Sequence, residues 1–250
     1  QFPVLDTLEV DRIEVNPGQT GWQIQLVDPK RSFKSRIFTS ATKEAPIDLA
    51  GNPMDILLMV YQNHLGIGQN LHLDSTKWLE YVPGKPETLI NPNRYVDVAT
   101  ILNYRNSLFR NYYLEFSITG SEEGKGWIEK ELYKALGAYS IVDSQGRISP
   151  RFWLAPPLAG LSPAFTFTDR NLVDVPVASR AHIINQLTFR MDYDGSQFQT
   201  ELFFFSSPSI STYGLEGTHI IESKGLRSAR QGALHANLLA TKLFRRYGSL

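Results

Sequence analysis

The sequence predicts an α+β chain, β-rich at both ends, with helices in the middle and at the C-terminus. Three observations carry this reading. Apolar and polar residues alternate in short runs near both ends, the period-two pattern of strands with one buried face. Apolar residues then recur at three- and four-residue spacing behind Asn52-Pro53 and behind Ser121. A last run at helical spacing fills about 228–247. The predicted organisation is a β-rich portion at 1–50, an α/β insertion at 51–138, and a β-rich portion with a C-terminal helix at 139–250.

Leu8, Val10, Ile13 and Val15 sit among polar residues, and Asn16-Pro17-Gly18 is a turn signal. Trp22, Ile24 and Leu26 alternate with Gln23 and Gln25, so the two runs read as a hairpin ended by Asp28-Pro29. Asn52 is a good N-cap and Pro53 suits the first helical position, predicting a helix over 53–65 that Gly66 stops. Residues 67–97, rich in Pro, Gly and Asn, read as a long surface excursion with one helical turn near Trp78. A short helix follows at 98–109, then a strand in which Leu114, Phe116 and Ile118 share a face. Ser121 is expected to cap a helix over 123–136 with Trp127, Ile128, Glu131, Leu132 and Leu136 on one stripe, ended by Gly137.

The turn Asp143-Ser144-Gln145-Gly146 predicts a hairpin, with Pro150 confining its second strand to an edge or a bulge. Phe165 and Phe167 begin another strand. The clearest hairpin has Leu187, Phe189, Met191 and Tyr193 alternating, Asp194-Gly195 turning, and Phe198 to Phe205 returning. Ile220 and Ile221 mark a short strand. The terminal helix is expected to gather Ala233, Leu234, Leu238, Leu239, Leu243 and Phe244 on its apolar side.

Composition excludes several classes. The 250 residues contain no cysteine, which rules out disulfide scaffolds, thiolate metal sites and thiol nucleophiles. Hydrophobic content of 42% with 20% charged residues is that of a globular chain. Lys+Arg 25 balance Asp+Glu 25, so no net field attracts nucleic acid and copies do not repel one another at long range. No apolar run is long enough to span a membrane. The start QFPVLDTLEV lacks a signal peptide's basic head and apolar core. Gln1 in place of Met predicts a processed chain or part of a longer one.

No motif supplies a reactive centre. In 120–126 the Gly-Lys pair stands one residue short of the phosphate-loop spacing, with Gly126 where a Mg²⁺-ligating hydroxyl belongs. The bland reading of that segment is a helix N-terminus whose acids complement the dipole. His64, His72, His182, His219 and His235 share no metal-ligand spacing, and each reads as a satisfied or solvated histidine. There is no nucleophile elbow and no glycosylation sequon. The expectation is therefore no catalytic, metal or cofactor-binding residue and no cofactor.

Contact surfaces are the better candidates. Phe203, Phe204 and Phe205 are consecutive in a strand, so alternation sends at least one ring to the opposite face, under another layer of the chain or a neighbouring subunit. Trp78, in the loop, is a further candidate subunit contact and the tryptophan best placed to stack on a sugar. From residue 224 onward the chain is free of acids, and Arg227, Arg230, Arg245 and Arg246 form a candidate basic contact face. The alternative for this run is a solvated helix face.

Five segments, in order, resemble the baseplate hub or tail-tip structural proteins of tailed bacteriophages. They are TGWQIQLVDPKRSFKSRIFTS (20–40), APIDLAGNPMDILLMVYQNHLG (45–66), the stretch FSITGSEEGKGW through RISPRFW (116–153), DRNLVDVPVASRAHIINQLTFRMDYD (169–194) and HIIESKGLRSARQGALHANLLATKLFRRYG (219–248). None is catalytic, and their order carries the resemblance. The chain departs from the pattern in lacking the expected start, which predicts the later part of a longer protein. The resemblance implies a β-barrel-like domain of tail-tube type with an α/β helical insertion. It implies a virion structural protein at the tail tip, a homo-oligomer, as a trimer, around a channel through which DNA passes as cargo. Its partners would be tube, tip and tape-measure proteins. The competing expectation is a carbohydrate-binding or cell-envelope-degrading tail domain.

Overall fold

Asn52 and Pro53 start the helix on which much of the core is built. The computed structural model describes residues 9–15, 22–27, 37–39, 46–67, 80–89, 95–153, 183–214 and 217–247. Helix α1 spans Pro53–Met59 and runs on without a break as a π-turn over Val60–His64. The Asn52 side chain accepts from the Met54 N–H at 3.0 Å and donates to the Phe109 carbonyl at 2.6 Å, capping the helix and tying it to a distant turn. Residues 53–58 are all buried, so α1 is apolar nearly all round, as an interior helix must be.

One charged side chain lies in this helix. Asp55 is 2% exposed. Its two oxygens accept from Arg105 Nε, each at 2.8 Å, and Oδ1 also accepts from the Tyr81 hydroxyl at 2.7 Å. A buried carboxylate is tolerable only when paired and hydrogen-bonded in this way. Tyr81 is held a second time, its N–H donating to Asn63 Oδ1 at 2.6 Å while Asn63 Nδ2 donates to its carbonyl at 3.2 Å. Gln62 Nε2 donates to Thr88 O at 2.9 Å. Residues 80–89 of the predicted excursion are therefore docked on α1 by polar contacts.

The strands form small sheets. β1 (Glu9–Val15) and β2 (Trp22–Val27) are the predicted antiparallel hairpin. β3 (Ile37–Thr39) pairs with β6 (Ser121–Glu123), and β4 (Ile47–Gly51) with β5 (Leu114–Ile118). β5 buries Leu114, Phe116 and Ile118 and exposes the residues between them, as its alternation requires. Helix α2 (Val98–Asn106) is capped by Asp97. Ser121 is not the cap that the sequence suggests. It lies in β6, and the helical rod α3 starts at Gly124, running as Gly124–Trp127, a π-wound stretch Ile128–Tyr133 and Lys134–Leu136. Gly137 ends it in the left-handed conformation, φ 63°.

β7 (Ala138–Val142) and β8 (Ile148–Phe152) make the next hairpin. Ile148 gives its N–H to Tyr95 O and its carbonyl to Asp97 N, on the side away from β7. Pro150 has the same parity, so its missing N–H falls on that outer side and the ladder loses nothing. β9 (Gln186–Tyr193) lies between antiparallel β10 (Phe198–Phe205) and parallel β11 (Thr218–Glu222). Between β10 and β11 stands α4 (Ser207–Tyr213), and after β11 comes α5 (Ala229–Tyr247).

α5 packs on β9 and β10. The face it buries differs from the predicted one. Ala233 is exposed and Leu234 is 63% exposed, whereas His235, Ala236, Leu239, Ala240 and Leu243 are buried. Gly232 is also buried, and a Cβ there would strike the Met191 sulfur, so the missing side chain sets how closely α5 approaches β9. The loop before α5 stitches sheets together: Glu115 N donates to Gly225 O at 2.8 Å and Asp192 N to Leu226 O at 2.9 Å. An aromatic chain then crosses the core. Tyr104 and Phe109 meet Phe152 edge-on, Phe109 meets Tyr112, and Tyr112 and Phe189 both meet His235. The fold is thus mixed α/β with small sheets, and among the described residues no sheet closes into a barrel. The predicted strand at Phe165 lies outside the described residues.

Candidate functional site

The sheet β10-β9-β11 has two unlike faces. On the inner face Leu187, Phe189, Met191 and Ile221 are buried, with Leu202 and Phe204 packed against the same core. On the outer face Phe203 and Phe205 are each 54% exposed and Ile220 is 43% exposed. The register explains their grouping. Thr188 on the middle strand stands opposite both Phe203 and Ile220, and is itself only 5% exposed between them. Of the three consecutive phenylalanines, two therefore point outward and one inward, as period-two geometry demands. The far end of this face is charged and internally paired: Arg190 pairs with Glu201 at 2.7 Å and with Glu222 at 3.1 Å.

The candidate basic residues divide between the ends of α5. Arg227, just before it, donates to the Tyr193 carbonyl and lies 3.9 Å from the Asp192 carboxylate. Arg230 is exposed in the first turn, while Arg245 and Arg246 belong to the last. At 1.5 Å per residue, Arg230 and Arg245 are about 22 Å apart along the axis. Trp78 lies outside the described residues.

A cleft of about 560 Å³ opens between the β5–β6 turn, α3, the β9–β10 turn and the loop before α5. Its lining includes Phe116 and Trp127, whose rings meet edge-on at 5.1 Å, with Glu122, Glu131, Asp194, Lys224 and Arg227 among its polar groups. Lys224 Nζ donates to Glu131 at 2.9 Å and stands 5.7 Å from the centre of the Tyr193 ring. Burial works against its charge, but Glu131 together with Tyr193 and Glu122 outweighs burial and raises its pKa. Asp194 is a turn-builder. The N–H groups of Gln197 and Ser196 donate to its Oδ1 and hold its carboxyl down at about 2. The cleft's cations are thus committed to internal partners. Trp127 is 3% exposed and presents no open ring face for stacking.

Three perturbed groups lie in the core. The hydroxyls of Tyr61 and Tyr133 meet at 3.2 Å in the core, and burial pushes both pKa values up. His235 is 2% exposed. Its Nε2 lies 2.8 Å from the Ala135 carbonyl and its Nδ1 3.3 Å from the Tyr112 hydroxyl. The neutral tautomer with hydrogen on Nε2 satisfies both contacts. Burial lowers its pKa to about 4. This is the satisfied histidine that the sequence suggests, on the buried face of α5. Among the described residues no group of three His, Asp or Glu is placed to hold a metal, and no helix is long and apolar enough to cross a membrane.

Sequence reasoning missed the cleft and the Asp55–Arg105–Tyr81 network. Their members come together from segments up to about a hundred residues apart, and no local spacing signals such a meeting. The isolated Asp55 within the apolar run PMDILLMV was the one available clue. Comparison with known protein families and with curated proteins finds no match.

Proposed function

We propose that this chain is a structural subunit of a phage tail tip, a hub protein that works through shape and self-association. Two things support the reading: the ordered resemblance of five segments to tail-tip proteins, and the outer face of the β10-β9-β11 sheet. The second carries its self-association. Two phenylalanines on β10 and an isoleucine on β11 stand half or nearly half exposed on one face of the sheet, on the two strands that flank β9. Covering the half of each side chain that is still exposed is worth about 1 kcal/mol each, and large apolar side chains gathered on one exposed face mark an interaction surface. Zero formal net charge lets identical copies crowd together.

In this reading the chain is a homo-oligomer, with three copies enclosing a DNA channel between the tail tube and the distal tip. A barrel-like domain of tail-tube type is the finer form of its fold, and tube, tip and tape-measure proteins are its neighbours. It requires no cofactor and performs no catalytic step. The runner-up, a carbohydrate-binding or envelope-degrading domain, would draw on the cleft, where Glu122, Glu131 and Asp194 are among the lining residues.

Sedimentation of the purified chain tests the proposal. An oligomer that the double variant Phe203→Ser, Phe205→Ser dissociates is the expected result. A monomer that binds or cleaves cell-wall glycan would replace it with the runner-up.

A further inference from the structure

We draw no further inference here: the strongest candidate, the cleft of about 560 Å³ between the β5–β6 turn, α3, the β9–β10 turn and the loop before α5, belongs to the site already described, and nothing among the described residues shows what fills it.

Discussion

Phe204 and Phe205 are neighbours in sequence and opposites in fate. One packs against a core closed by α5, while the other is 54% exposed beside Phe203. The same contrast holds across the sheet. The inner face is occupied by α5, Phe189 and a satisfied histidine. The outer face has comparable side chains that stand half exposed among the described residues. Inner residues answer to stability, and outer residues answer to whatever the molecule meets.

The largest effect should come from the inner face. Phe189→Ala empties a fully buried site against His235, and is expected to remove about 4 kcal/mol, read from urea unfolding. Acid is the next lever. His235 has its folded pKa near 4 against an ordinary 6.5, so the fold favours its neutral form. Its contribution is complete above about pH 6.5 and is lost as pH falls through that value toward 4. The total is on the order of 3 kcal/mol. His235→Gln retains a donor for Ala135 O, and its denaturant midpoint should vary less between pH 7 and pH 4.5 than that of the unmodified chain. An equal pH dependence in both proteins would place the acid sensitivity elsewhere.

A matched pair sharpens the contrast further. Phe204→Ser should cost the folded monomer about 2 kcal/mol, because it removes ring contacts with the core. Phe205→Ser, one residue on, should cost under about 0.5 kcal/mol. Thermal melting at a concentration too low for association reads both. Equal losses would mean that the two faces are not distinct.

How far the sequence discloses this contrast depends on whether the signal is local. The hairpin 186–205, the split of the phenylalanines, the Asn52-Pro53 helix start and the Gly137 stop all follow from spacing within a few residues. Assignments that depend on neighbours are less legible. The sequence favours Leu234 over His235 for the buried face of α5. The structure reverses this because Tyr112 and Ala135, more than ninety residues away, satisfy the imidazole. Ser121 looks like a cap, yet a strand partner at Thr39 claims it. The outer face is legible as a set of residues but not as a patch, since only the register with Thr188 brings Phe203 and Ile220 together.

The most direct test of the central claim is the mass of the chain in solution beside that of its Phe203→Ser, Phe205→Ser variant. Self-association through this sheet predicts a multiple of the single-chain mass for the first and the single-chain mass for the second, with both equally folded. Two equally folded monomers, or two identical oligomers, would contradict it.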